Sequence, residues 1–299
     1  MHTCRSTQLL LVLLLSGPTL TSGPARAAGP SYGGLKPAGN FVLPSPLAQR
    51  GEFGRAVATG DFDGDGTVDL AVGAQSDETS GDFAGRVDLF LSGPGGLALA
   101  DHFYGDLESQ LGNVLAAGDF DGDTIDELAV SAPTQLIDAP DEGGIFVLKW
   151  DPVSEGLVVV GLLSQNMALV DEVAEQGDAF GSALAVGDFN GDGFDDLAVG
   201  VPYEDVGPSG GDQGTGHVFF GFATGLSGFG SQTWTQDTNL ILGVAAPGDT
   251  FGFSLSAGDF DGDGKDDLAI GSPFDVQSVV AGGTINVLYG SNAGLTARG

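Results

Sequence analysis

The sequence predicts an all-β protein, a β-propeller of four-stranded antiparallel blades. Three observations carry this expectation. One segment recurs four times at intervals of roughly 60–70 residues, the signature of a repeat architecture. Each copy reads as short β-runs separated by turns, and helical periodicity is nearly absent along the chain. Within each copy, the run after an acidic turn is continuously apolar: Leu70-Ala71-Val72-Gly73, Leu128-Ala129-Val130-Ser131, Leu197-Ala198-Val199-Gly200 and Leu268-Ala269-Ile270-Gly271. A strand buried on both faces has that composition, whereas a sheet with one wet face alternates. One such sheet cannot cover both of its faces, so stacking sheets radially around an axis is the expected solution. In that arrangement the small residues would lie where blades converge and the large ones between blade faces.

In chain order, residues 1–27 read as an export signal. Arg5 supplies the basic start, Leu9 to Leu15 the apolar stretch, and Ala25-Arg26-Ala27 the small-residue cleavage site. The apolar run is too short to span a bilayer, which takes about 20 residues. The mature chain is therefore expected to be secreted or displayed at the cell surface, with no membrane span. Cys4, the only cysteine, leaves with the signal, so no disulfide or thiol chemistry is expected. Residues 28–39 form a linker and 40–299 the propeller, with repeats near 53–110, 111–179, 180–250 and 251–299. Asn40 to Ala48 carries two prolines, suiting an edge strand. The fourth repeat has no obvious outer strand after Ser291, so this early segment is expected to close the last blade. Four copies allow a small closed ring, an open arc or part of a larger propeller. Met167 to Gln176 is read as a loop.

Each repeat opens on an apolar residue followed by glycine, at Phe53, Leu111, Phe180 and Phe251, expected to pack between adjacent blades. Eight residues later comes the acidic turn. Its positions 1, 3, 5 and 9 carry side-chain oxygens: Asp61, Asp63, Asp65 and Asp69; Asp119, Asp121, Asp123 and Glu127; Asp188, Asn190, Asp192 and Asp196; Asp259, Asp261, Asp263 and Asp267. Position 7 varies as Thr67, Ile125, Phe194 and Lys265, as expected if only its backbone carbonyl is used. Alternating oxygens converge when the chain curls, and glycines at positions 4 and 6 allow the curl. Carboxylates brought this close repel unless a cation sits among them. A hard, all-oxygen donor set with six or seven contacts favours Ca2+, with up to four ions in all. An EF-hand would need Glu at position 12 and flanking helices. Position 12 is Val72, Val130, Val199 or Ile270, and the flanks are strands. Turn two departs from the pattern, with Thr124 in place of glycine and Glu127 in place of the last Asp. The 119–127 site is therefore the weakest of the four.

The chain carries 41 acidic residues against 9 Lys and Arg, a formal charge of −32. That balance excludes nucleic-acid binding through phosphate contacts and a polybasic membrane mode. The hydrophobic fraction of 41% excludes a disordered acidic tail. No phosphate loop or histidine motif is present, and His102 and His217 stand apart from any triad. Asp195 and Asp266, at position 8, read as support for the turns and not as acid–base pairs. Arg50-Gly51-Glu52 reads as a linker tripeptide.

The Phe-Gly pairs at 53, 180 and 251, the D-x-D-x-D-G-x-x-D turns and Ala132-Pro133 resemble the FG-GAP repeats of integrin α-subunit propellers and their bacterial relatives. The resemblance covers about residues 40 to 299. It implies calcium-binding turns and a non-catalytic adhesion or ligand-binding role, with an extracellular protein or glycan as partner. Propellers of that family usually have seven blades. The loops Ser76 to Asp82, Ile137 to Glu142 and Tyr203 to Gln213 differ between repeats and are candidate ligand surfaces. The alternative reading is a glycan-binding or glycan-processing enzyme domain.

Overall fold

A computed structural model describes residues 42–46, 51–79, 83–106, 108–134, 143–165, 167, 175, 177–206, 211–277 and 280–298. The signal and linker segments and the loop 137–142 lie outside the described residues. Four sheets follow one another. The first is β1 (Val57–Gly60), β2 (Asp69–Ala74), β3 (Arg86–Leu91) and β4 (Ala98–Tyr104). The second is β5 (Leu115–Gly118), β6 (Glu127–Ala132), β7 (Gly144–Asp151) and β8 (Gly156–Leu163). The third is β9 (Ala183–Gly187), β10 (Asp196–Val201), β11 (Thr215–Phe220) and β12 (Ser227–Trp234). In all three the strands pair in sequence order, each antiparallel to the next. The fourth sheet holds β13 (Ser254–Gly258), β14 (Asp267–Ser272) and β17 (Thr284–Leu288), with the short pair β15 (Val276–Gln277) and β16 (Val280–Ala281) between β14 and β17. This is a propeller of four blades, and no helix occurs among the described residues.

The blades stack in one direction. Ala71, Val87 and Leu89 of blade one share a core with Leu115, Leu128, Val130 and Leu148 of blade two. Ala129, Ile145 and Val147 meet Leu197, Val199 and Phe219. Ala198 and Val218 meet Leu268, Ile270 and Leu288. Every interface thus joins the small-residue face of one blade to the large-residue face of the next. The alternation along β2, β6, β10 and β14 therefore separates forward from backward faces; it does not separate axis from periphery. Three of the four repeat-opening residues behave as expected: Leu111, Phe180 and Phe251 are buried in these inter-blade cores, whereas Phe53 is half-buried against Phe90 of its own blade. The glycine after Leu111 has a mechanical reason. A Cβ on Gly112 would stand 2.6 Å from the Arg86 carbonyl oxygen and 3.1 Å from Gly73 Cα, so the two backbones touch directly.

A carboxylate clasps each pair of blades. Asp126 Oδ2 accepts the Asp61 amide at 2.8 Å, Asp195 Oδ2 the Asp119 amide at 3.0 Å, and Asp266 Oδ2 the Asp188 amide at 3.1 Å. The same three residues donate their own amides to the carbonyls of Asp61, Asp119 and Asp188. These are the residues at position 8 of turns two, three and four, so their support extends to the neighbouring turn. Turn one has Val68 there, exposed, with no blade before it.

The expected closure of the last blade by Asn40 to Ala48 is not what the structure shows. Its described part, Val42 to Pro46, contains no strand and lies on blade one, where Leu43 packs against the core of Val72, Phe90 and Leu97. The first blade has a bare large-residue face, and an apolar segment nearby covers it more readily than it crosses to a distant edge. Beside β17, the chain's own end turns back, and Tyr289 and Thr296 exchange backbone hydrogen bonds at 2.8 Å.

The clasp gives one position two opposite mutational outcomes. Asp195→Ala leaves the Asp119 amide without its carboxylate and is expected to lower unfolding free energy by about 1–3 kcal/mol. Val68→Ala, at the same turn position, is expected to stay within about 0.5 kcal/mol. Urea denaturation midpoints of the two variants check this.

Candidate metal centre

Each acidic turn is folded by its own carboxylates. The first Asp accepts the amides of positions 5 and 6: Asp61 from Asp65 and Gly66, Asp119 from Asp123 and Thr124, Asp188 from Asp192 and Gly193, and Asp259 from Asp263 and Gly264, all at 2.9–3.1 Å. Position 3 also accepts the position 5 amide, from Asp63, Asp121, Asn190 and Asp261. Position 5 accepts the amide of position 7, so Asp65, Asp123, Asp192 and Asp263 close the curl onto Thr67, Ile125, Phe194 and Lys265. The amide donors hold the carboxylates on one side of the backbone and crowd their oxygens together.

Position 9 opens the following strand and is buried in all four repeats. Asp69, Asp196 and Asp267 each accept two amides. One comes from position 2, from Phe62, Phe189 or Phe260, at 2.9–3.0 Å. The other comes from the far end of the third strand, from Ser92, Gly221 or Gly290, at 2.7–2.9 Å. Burial pushes the Asp196 carboxyl up to about 7 against these amide bonds, and it raises Asp69 as well.

The structure brings the predicted residues together unevenly. Asp61, Asp63 and Asp69 place carboxylate oxygens within 4.8 Å of one another, as do Asp259, Asp261 and Asp263. In turn three, the Asn190 amide group donates to Asp192 at 3.0 Å, and Asp188 and Asp196 flank them. These three donor sets are all-oxygen and fit a hard divalent cation. At the rim of turn four, Arg298 pairs with Asp261 while its guanidinium lies 4.3 Å from the centre of the Tyr289 ring.

Turn two also gathers its acids, Asp119, Asp121 and Glu127, but it contains a cation of its own. Lys149 Nζ lies 2.6 Å from Asp121 Oδ2, 2.9 Å from Asp123 Oδ2 and 2.5 Å from Glu127 Oε1. Burial works against the ammonium, yet the three carboxylate bonds hold its pKa well above the usual lysine range. Register explains why only this repeat draws a cation from its third strand. Phe90, Leu148, Phe219 and Leu288 pair with the same strand position, and the next residues are Leu91, Lys149, Phe220 and Tyr289. Glu127 still takes the Phe120 amide at 2.9 Å, and its extra methylene lets the other oxygen reach the ammonium. Thr124, expected to be strained, does sit in the left-handed region at φ 72°.

The position 7 side chains do more than vary. Ile125, Phe194 and Lys265 lie against the position 4 glycines of the preceding turn, Gly64, Gly122 and Gly191. Sequence reading also missed a second acidic set. Asp77, Glu204 and Asp275 are buried in the loops after β2, β10 and β14. Asp77 pairs with buried Arg86, while Gln165 and Gln236 of the preceding blades reach Glu204 and Asp275. Their shared place, three residues past the strand, was the available signal. His217 is buried between Thr215 and Thr233, and His102 stacks edge-on with Tyr104. No helix of the described residues is long and apolar enough to cross a membrane.

Comparison with known proteins places these turns in a family. The FG-GAP repeat model matches residues 53–90, 111–148, 180–219 and 251–287. Integrin alpha-PS2 of Drosophila melanogaster is 34% identical over 232 residues, 74% of this chain and 15% of that protein. Mouse integrin alpha-IIb is 31% identical over 245 residues, 76% of this chain and 21% of that protein. Rat phosphatidylinositol-glycan-specific phospholipase D is 33% identical over 168 residues, 56% of this chain and 19% of that protein. The chain thus spans about a fifth or less of these relatives. With four matched repeats forming four propeller blades, it belongs to the FG-GAP repeat family.

Proposed function

We propose that the protein is an exported ligand-binding or adhesion module whose blade hairpins are set by Ca2+ in turns one, three and four. The single observation that carries the metal reading is the crowding of carboxylate oxygens in turns one and four; turn three joins them because its carboxylates fold the same curl. Backbone amides carry no net charge, whereas a divalent ion at the centre would offset two of the three or four negative charges. Asp61, Asp63, Asp65 and Asp69 would hold it in turn one, Asp188, Asn190, Asp192 and Asp196 in turn three, and Asp259, Asp261, Asp263 and Asp267 in turn four. The carbonyls of Thr67, Phe194 and Lys265 complete the sets. In turn two, the Lys149 ammonium stands where the ion would act, so three ions are expected and not four.

The role is structural. A bound ion fixes the turn, the turn orients its position 8 and 9 carboxylates, and these hold the neighbouring blade and the third strand. Ligand recognition then falls to the loops that differ between blades. The described parts of the candidate loops, residues 76–79, 203–206 and 211–213, are where an extracellular protein or glycan would be engaged. Integrin alpha subunits among the relatives favour the adhesion reading. A glycan-processing role is the second reading, and the similarity to a protein named a phosphatidylinositol-glycan-specific phospholipase D favours it. Binding of immobilised glycans or matrix proteins without turnover of glycosylated substrates supports the first. Turnover abolished by a change outside the turns supports the second.

Calcium removal is expected to weaken the fold. Extracellular calcium modules bind at roughly 10⁻⁴ to 10⁻³ M. At ten times Kd each site contributes about 1.4 kcal/mol, and three sites about 4 kcal/mol. That corresponds to a fall in Tm on the order of 10 °C in chelator, restored by calcium. Identical melting curves contradict the reading.

Turn two separates the two kinds of cation. Native mass spectrometry in calcium should count three ions on the wild-type chain and four on Lys149→Met. Thr124→Gly, which relieves the left-handed threonine, is expected to stabilise the metal-free protein by about 1 kcal/mol in urea denaturation.

A further inference from the structure

Two of the four turns meet a cation that the chain itself supplies, and it arrives by different routes. In turn two, Lys149 comes straight from the third strand and bonds three acids. In blade four the same strand position is Tyr289, which brings no ammonium. The cation comes instead from a return of the chain beyond it. Tyr289 and Thr296 exchange backbone hydrogen bonds at 2.8 Å. Leu295 is buried, its amide donates to Gln232 Oε1 at 2.9 Å, and its carbonyl accepts from Gln232 Nε2 at 3.2 Å. Gln232 lies on β12, so the return is tied to blade three. Two residues past Thr296, the Arg298 guanidinium lies 4.3 Å from the centre of the Tyr289 ring. One of its nitrogens stands 2.5 Å from Asp261 Oδ2 and the other 4.0 Å from Asp263 Oδ2.

The two cations are held differently. The Lys149 side chain is 17% exposed and reaches the buried acid at position 9. The Arg298 side chain is 47% exposed and pairs with positions 3 and 5 from the rim. Lys149 is sealed into its turn, whereas Arg298 can leave. Lys265 also stands 4.0 Å from Asp263, but its stem is laid against Gly191 of the preceding turn. Among the described residues, no acid of turn one or turn three is ion-paired. Turn four therefore differs from the other two turns read as ion sites.

We propose that Arg298 is a built-in competitor of the divalent ion at turn four, making it a weaker, later-filling site than turns one and three. This inference rests on the calcium reading of the turns. Asp261 and Asp263 belong to the donor set of that site and are also the partners of Arg298. A divalent ion among these acids repels a guanidinium held on the same carboxylates. Ion entry therefore loosens Arg298, and Arg298 weakens ion binding by the same factor. An exposed ion pair and a cation–π contact together set that factor at about three- to tenfold. When calcium is scarce, turns one and three fill first, and Arg298 offsets part of the charge in turn four. When calcium is plentiful, the ion takes over that role and the guanidinium is released from the rim.

Hydrogen exchange followed turn by turn through a calcium titration of the full-length chain tests this. In the wild type, protection of residues 260–265 should reach its midpoint at about three- to tenfold more calcium than in Arg298→Gln. The midpoints for 62–67 and 190–194 should be the same in both proteins. Equal midpoints for 260–265 overturn the competition, and so does a shift shared by all three turns. A second arm needs no metal. In chelator, Arg298→Gln should exchange about twofold faster or more over 260–265, because no cation then faces Asp261. Unchanged exchange there overturns the contact on which the proposal stands. No calcium response in any of the three turns overturns the calcium reading itself, a result distinct from equal midpoints.

Discussion

Carboxylates crowded into a nine-residue turn are the constraint on which the rest of this structure depends. The first, third and fifth side chains of each turn point inward because they accept the turn's own amides. The ninth is drawn into the same cluster by the strand it opens. The resulting negative charge must be offset locally, since like charges at this spacing oppose folding. Backbone amides offset part of it everywhere, and Lys149 offsets more in turn two. The proposed ions in the other three turns complete the same requirement by a different cation.

That local requirement sets the long-range order. A curled turn holds its first amide and carbonyl outward, and the next blade binds both through its position 8 Asp. It also exposes the position 4 glycine, against which the next position 7 side chain lies. Apolar burial supplies most of the attraction between blades, but it is non-directional. The clasp supplies direction, because a carboxylate at position 8 always reaches the turn before it. Blade one departs from this rule where there is nothing to reach. Val68 replaces the acid, and Arg86 within the same blade neutralises Asp77, where Gln165 and Gln236 of preceding blades serve the later acids.

Repeat number, strand order and the turn residues were legible in the sequence because each depends on local spacing. The Phe-Gly openings and the apolar second strands were legible for the same reason. What escaped was everything set across strands or between blades. Lys149 lies 22 residues from Glu127, and only the β6–β7 register shows that it points into the turn. Asp126, Asp195 and Asp266 look like spare acids until the neighbouring blade is present. The segment around Leu43 was assigned to the wrong blade because an edge-strand composition names a kind of partner and not a location. Thr124 was the exception: its strain could be read directly, since the other three turns place glycine there.

Amide hydrogen exchange, resolved turn by turn in calcium and in chelator, tests the role of the cations most directly. Chelation should speed exchange in residues 62–67, 190–194 and 260–265 and leave 120–125 protected, because Lys149 remains in place. Equal loss of protection in all four turns, or none in any, would contradict the division between three ion-held turns and one held by lysine.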